Sequence, residues 1–196
     1  MKFFILMLFK NDASLKRTFG VDCQRIRADI CDIDFDELLP RTAKRVIFVG
    51  KHLCGAATCL SLRAIARFAT SRPSCSIAIT IACCCHHVCS IESLPRTAFT
   101  ANISPEEMLA LKKVSSWAVC GTPFGYHYDS DFVIVRLKTS NYSELLGRNC
   151  KKFIDTARIA FFRDHLFDAF YVEYTSPIIS LENRAIVAYK GSTLRL

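Results

Sequence analysis

An α/β fold with a mostly parallel sheet, ending in an antiparallel hairpin, follows from three features of the chain. Between Val46 and Cys89 two apolar, β-branched runs, RVIFVG and SIAITIA, flank a helical segment, CLSLRAIARFA, the order of a βαβ unit with parallel strands. Near the C-terminus a long helical pattern precedes two more strand patterns with a turn between them, as in a hairpin added at a sheet edge. Finally, 196 residues that are 51% hydrophobic, with only 7 Gly and 6 Pro, suit one domain over 1–196 with a single substantial core.

Taken in order, the chain opens with MKFFILMLFK, and its continuous apolar run Phe3–Phe9 is the pattern of a strand covered on both faces. The run is too short to span a bilayer, and Lys10 closes it without a small-x-small cleavage site. A buried strand is therefore expected, not a leader or a membrane anchor. Asn11–Arg25 carries Leu15 and Phe19 before Gly20, which reads as a short helix ending at a glycine. RIRADI reads as a short strand opening into CDIDFDELL, where Asp32, Asp34 and Asp36 alternate with Ile33 and Phe35. A calcium loop needs glycine where Glu37 stands, and Ile33 and Phe35 look like core residues, so these acids read as a solvated turn.

After the βαβ unit, Ser104 begins a capping box with Glu107, Pro105 occupies the first turn, and Met108, Leu111 and Val114 share one helix face. This helix ends near Trp117 and leads into CGTPFGYHYDSD, a loop of the kind that flanks substrates. From about Tyr142 to Leu166 the residues Leu146, Cys150, Phe153, Ile154, Ala157, Ala160 and Phe161 keep helical spacing and form a buried stripe. Arg148, Lys151 and Arg158 gather on another face. DAFYVEYTSP and AIVAYK then close the chain as strands joined around Pro177 and SLEN.

A net charge of +8 favours a polyanionic partner. The 11 cysteines include three adjacent ones, Cys83–Cys85, which cannot serve as a regular disulfide framework. Reduced thiols imply an intracellular protein of the cytoplasm or nucleus, with no membrane partner.

In an open parallel sheet ligands bind at the carboxyl ends of the strands. Lys51, His52 and Cys54 follow the first strand of the βαβ unit, and Cys84, Cys85, His86 and His87 follow the second, so both loops are expected on one side of the sheet. Asp29, ending its own strand, is expected to face the same crevice, where a carboxylate accepts hydrogen bonds from a ribose or an adenine amino group. GKHLCGAA keeps the glycine spacing of a phosphate loop at Gly50 and Gly55, but Ala56-Ala57 replace its Lys-Ser/Thr, which argues against nucleotide hydrolysis. What remains is a strand-to-helix turn whose free N–H groups favour an anionic ligand. ACCCHHVCS places four thiols and two imidazoles together. No metal is expected there: crowded neighbours cannot all turn toward one ion, and Cys54, Cys59 or Cys120 would complete a tetrahedron only by coincidence of folding. Cys83 and Cys84 read as small core residues ending a strand, whereas at least one of His86 and His87 is expected in the crevice.

KHLCGAAT (Lys51–Thr58), CCHHVC (Cys84–Cys89), GRNCKKFIDTARI (Gly147–Ile159) and SPIISLEN (Ser176–Asn183), together with RIRADICDID (Arg25–Asp34), resemble the methyltransferase domain of the tRNA:m(4)X modification enzymes. The resemblance implies a Rossmann-like class I methyltransferase sheet, S-adenosylmethionine as methyl donor, and a ribose 2′-hydroxyl of the tRNA acceptor stem as acceptor. It implies His86 or His87 as the base, since a neutral imidazole with a reference pKa of about 6.5 can take the hydroxyl proton. His52 is a second candidate, and Lys51 would orient the 2′-oxygen or a phosphate. Asp29 would hold the cofactor's adenosine, and the Gly55 turn with Cys54 its amino-acid tail or the RNA backbone. Arg148, Lys151 and Arg158 would contact phosphates of duplex RNA. The sheet is expected to be N-terminally incomplete, because the family's first strand, glycine-rich loop and upstream zinc modules have no counterpart. Two readings from other classes stay open: a non-catalytic RNA-binding remnant, and a Cys/His zinc-binding module.

Overall fold

Strands form where the two apolar runs predict them: β1 covers Arg45–Gly50 and β2 covers Ser76–Ala82. They pair in parallel with Val46 opposite Ile77 and Gly50 opposite Ile81, so both chains leave the sheet at the same rim. The computed structural model describes residues 26–89, 92–119 and 130–191, with side chains described for all of these except 130–141. The expected strand Phe3–Phe9, the expected helix Asn11–Arg25 and most of the loop after Trp117 lie outside the described residues.

The first described element corrects the expectation for RIRADI. No strand forms over 26–30; Ile30–Asp32 is a single 3-10 turn, and the Asp29 carboxylate caps it by accepting a hydrogen bond from the Cys31 N–H at 3.0 Å. The short helix α1 (Phe35–Leu38) follows, capped by Asp34, with Ile33 and Phe35 buried as their alternation with the acids predicts. Arg72 ties this segment down: its guanidinium donates to the carbonyls of Asp36, Leu39 and Pro40 and pairs with the Asp36 carboxylate.

α2 (Ala57–Ser71) joins β1 to β2 and buries Leu62, Ile65 and Phe68 against Ile77, Ile79 and Ile81 of β2. Each such side chain removed from water contributes about 1.5–3 kcal/mol, so this layer holds the sheet. The other face of β1 leaves Ile47 and Val49 exposed. α3 (Pro105–Ser115) starts at the predicted capping box, Ser104 Oγ accepting from the Glu107 N–H while the Glu107 carboxylate accepts from the Ser104 N–H. A 3-10 turn, Ser116–Ala118, extends it. α4 runs over Ser130–Asp164, longer at its N-terminus than the pattern from Tyr142 predicts. Val133, Ile134, Val135 and Thr139 make that extension β-branched and hide its helical period. Among the described residues no helix is long and apolar enough to cross a membrane.

The C-terminal hairpin forms from β3 (Asp168–Glu173) and β4 (Arg184–Lys190), but the sheet order is β1-β2-β4-β3. Both neighbours of β4 are antiparallel to it, so the four-stranded sheet is mixed by pairing, not mostly parallel. Burial explains the order. AIVA is apolar on both faces and takes the inner position, while DAFYVE, with charged ends, takes the edge. Reversing direction twice also makes β3 run the same way as β1 and β2. The segment after β3 therefore returns to the rim that already carries the KHLCG and CCCHH loops.

Gly147 in α4 is buried against the backbone of Trp117 and Ala118, and a methyl group there would overlap the Ala118 nitrogen. Gly147→Ala improves helix propensity by up to about 1 kcal/mol, yet the obstacle is backbone and cannot rotate away. A net loss of about 1–3 kcal/mol is expected in urea unfolding.

Candidate active site

Three loops meet at the carboxyl rim of the strands: 51–56 after β1, 83–89 after β2 and 174–183 after β3. The last is held as a closed loop, with Tyr174 N–H donating to the Asn183 carbonyl at 2.9 Å, Asn183 Nδ2 donating to the Thr175 carbonyl at 2.9 Å and the Tyr174 hydroxyl donating to the Glu182 carbonyl at 2.6 Å. Cys83 N–H donates to the Arg184 carbonyl at 2.9 Å and ties the second loop to the first residue of β4, where the third loop ends. The first loop is closed by Thr58 Oγ1 donating to the Leu53 carbonyl at 2.6 Å. His52 and Cys85 adopt left-handed backbone with φ of 60° and 49°, uncommon for non-glycine residues and present once in each of the first two loops. Gly55, at φ of 63°, lets the loops approach: a Cβ there would meet the Val88 carbonyl oxygen at 3.2 Å.

Under these loops lies a buried charged cluster. His86 Nε2 donates to Asp155 Oδ1 at 2.8 Å, and Arg158 Nη1 donates to the same oxygen at 3.0 Å. His86, Asp155 and Arg158 are only 1–2% exposed. Among the described residues, the buried side-chain nitrogens and oxygens without a hydrogen-bond partner are His86 Nδ1, His87 Nδ1, Asp155 Oδ2 and Arg158 Nε. Three of the four belong to this cluster, and the fourth to the next residue along the loop. Buried polar atoms are nearly always paired, so a concentration of unpaired ones at a sheet rim makes this cluster the candidate site. Burial alone would raise the pKa of the Asp155 carboxyl, but the His86 imidazole and the Arg158 guanidinium outweigh it and hold it below the ordinary value. Burial, and then the Asp155 charge, push the neighbouring Cys83 thiol well up, which keeps it protonated.

A small cleft opens beside the cluster, lined by Cys83, His86, Arg148, Lys151 and Asp155, by Leu181–Asn183 of the third loop and by Arg184 at the start of β4. The strings CCHH, GRNCKKFIDTARI and SPIISLEN, distant in the chain, thus share one wall. KHLCG joins them through Cys54, whose Sγ is 3.4 Å from that of Cys84.

The expected basic face of α4 is corrected in two of its three residues. Arg158 is buried on Asp155, and Lys151 is buried with its Nζ 2.7 Å from Glu182 Oε1, so neither faces solvent to meet a phosphate. Arg148, Lys151, Asp155 and Arg158 lie along one helical line, and Asp155, on that line, turns it inward; an acid within a basic stripe was the available signal. Arg148 alone keeps partial exposure, paired with Glu144 and lining the cleft. Lys51 and His52 are exposed at the rim, His86 is beneath it, and His87 is half-buried.

The residues expected to hold the methyl donor do not form one cradle. Asp29 ends no strand and spends its carboxylate on the Cys31 N–H, which also lowers its pKa. Cys54 is packed against Cys84 and Cys85, and the Val88 carbonyl closes over Gly55. Among the described residues no donor cradle is therefore assigned.

This is an α/β domain with an acid–base cluster at the carboxyl ends of its co-directional strands. The family model described as methyltransferase TRM13 matches residues 7–189, and the chain belongs to that methyltransferase family. It is 34% identical over 183 residues to a protein of Vanderwaltozyma polyspora named tRNA:m(4)X modification enzyme TRM13, covering 85% of this chain and 41% of that protein. Proteins of the same name from Kluyveromyces lactis and Saccharomyces cerevisiae are 29% and 27% identical over 194 and 213 residues, covering 93% and 92% of this chain and 44% and 45% of theirs. The chain thus spans less than half the length of these relatives. No solved structure matches it.

Proposed function

We propose that the chain carries the acceptor side of a tRNA 2′-O-methyltransferase, which moves a methyl group from S-adenosylmethionine to a ribose 2′-hydroxyl of the acceptor stem on a Rossmann-like class I sheet. Family membership supports methyl transfer, and the relatives' names support tRNA as the substrate. The observation that carries the site assignment is the group of unpartnered buried polar atoms around His86 and Asp155 at the strand ends. Intracellular location, in cytoplasm or nucleus, follows from the reduced-thiol reading.

A sulfonium donor supplies an electrophilic methyl group when bound; the residues of this chain handle the hydroxyl. A ribose hydroxyl is a poor nucleophile at neutral pH until its proton has somewhere to go. His86 Nε2–H, given to Asp155 Oδ1, fixes the tautomer that leaves the lone pair on Nδ1, and Nδ1 takes the proton. Asp155 then stabilises the imidazolium. Lys51 and Arg148 contact phosphates that bring the ribose to the cleft. Lys151 and Arg158 position Glu182 and Asp155.

The test is to incubate the protein with tritium-labelled S-adenosylmethionine and unfractionated tRNA, then hydrolyse the RNA in alkali. A 2′-O-methyl group blocks cleavage at its own phosphodiester, so label is expected in alkali-resistant dinucleotides. Label in methylated bases overturns the 2′-O assignment. Binding of tRNA without transfer, together with no calorimetric response to S-adenosylmethionine, replaces it with the RNA-binding remnant.

A further inference from the structure

We propose that Cys54, Cys84 and Cys85 bind one thiophilic divalent cation of the zinc class at the rim, through three thiolates with a fourth position open to solvent. Their Sγ atoms all lie within 4.8 Å of one another, and those of Cys54 and Cys84 are 3.4 Å apart. A tetrahedral ion with Zn–S bonds of about 2.3 Å separates its sulfurs by roughly 3.8 Å, within that spread. Three protein ligands with an open corner is the arrangement of reactive zinc sites, in contrast to closed four-ligand structural ones. The exposed position of Cys54 places the open corner toward water.

The convergence follows from the topology. β1 and β2 are parallel neighbours in register, so a thiol four residues beyond Gly50 and two just beyond Ala82 arrive at one edge. Consecutive side chains of an extended strand point to opposite sides; the left-handed turn at Cys85 ends that alternation and lets Cys84 and Cys85 both meet Cys54. Cys83 stays with the inner cluster of His86 and Asp155. Burial and then the hydrogen bond with Cys54 raise the Cys84 thiol above its ordinary pKa, and the hydrogen bond with Cys54 followed by burial raises that of Cys85. On binding, each ligating thiol releases its proton to solvent and gives a sulfur lone pair to the ion. The ion then pins the KHLCG loop to the CCCHH loop, whichever acceptor the enzyme methylates.

Metal content is to be measured by mass spectrometry on protein purified under reducing conditions with zinc in the medium, and by absorption after exchange into cobalt(II). One ion per chain is expected, with a thiolate-to-cobalt charge-transfer band of three-sulfur intensity. Cys54→Ser, Cys84→Ser and Cys85→Ser are each expected to lose the ion, and Cys31→Ser, at an exposed position elsewhere, to keep it. Cys54 is exposed, so its variant is expected to keep the wild-type far-ultraviolet circular dichroism, which separates loss of the site from loss of the fold. A wild-type chain that takes up neither ion overturns the proposal. So does a folded Cys54→Ser chain that keeps a full ion, or a Cys54–Cys84 disulfide in place of metal in the reduced preparation.

Discussion

Asp155→Ala is expected to lower the free energy of unfolding by about 3–5 kcal/mol, read as a fall in the urea midpoint at unchanged slope. Asp155 Oδ1 is the shared acceptor of His86 and Arg158, and all three residues are buried. Removing it strands a guanidinium in the interior, and that penalty exceeds the loss of a hydrogen bond. Domains of this size are held by about 5–15 kcal/mol in total, so the variant sits near the limit of folding. Exchanging both charged partners, Asp155→Ala with Arg158→Met, is expected to cost less than Asp155→Ala alone, because no unpaired charge remains. A double variant as unstable as the sum of the singles would show that the two side chains do not act as a pair.

The same carboxylate sets a pH dependence. Burial raises its pKa, but His86 and Arg158 bring the folded value below the ordinary 3.8, with Cys83 the other titratable group facing it. A depressed folded pKa contributes stability that is present in full above the unfolded value and is lost as pH falls through the folded one. The stability gap between the wild-type chain and Asp155→Asn is therefore expected to narrow as pH falls below about 4, where the unfolded carboxyl and then the folded one take up their protons. A gap that persists unchanged into stronger acid would contradict the ionised cluster.

What could be read from the chain was governed by period and by strand ends. RVIFVG and SIAITIA fixed two parallel strands, and with them the shared rim of the KHLCG and CCCHH loops. Ser104, Pro105 and Glu107 fixed a helix start to the residue. Periodicity also shows which residues of α4 share a line, but it cannot tell a solvated line from one that a distant loop will cover. Lys151 and Arg158 read as a phosphate-contacting face because Glu182 and the His86 loop, which meet them and their partner Asp155, lie far away in sequence. The thiols escaped for a related reason. Cys84 and Cys85 alternate if the strand simply continues, and only the left-handed backbone at Cys85 turns both toward Cys54. RIRADI reads as a strand on its apolar residues, yet Asp29 prefers the local hydrogen bond to the Cys31 N–H, and the chain turns there.

His86→Gln separates the fold of the cluster from its chemistry. Glutamine can present an amide N–H to Asp155 Oδ1 in place of the imidazole Nε2–H, so the buried carboxylate keeps a donor. It has no basic lone pair where Nδ1 stands. If Nδ1 takes the ribose proton, the rate of methyl transfer at saturating tRNA is expected to fall by about 10²–10⁴, with KM for tRNA unchanged, since the loss is confined to the transition state. His87 is half-buried and belongs to no ion pair with Asp155, and His87→Gln is expected to cost less than about tenfold in kcat. Loss of transfer in His87→Gln with retention in His86→Gln would exchange the two roles and remove the Asp155-held imidazole from the mechanism. Equal loss of kcat and of urea stability in His86→Gln would mean that the imidazole only fills the core, because a base can be deleted without unfolding the site that holds it.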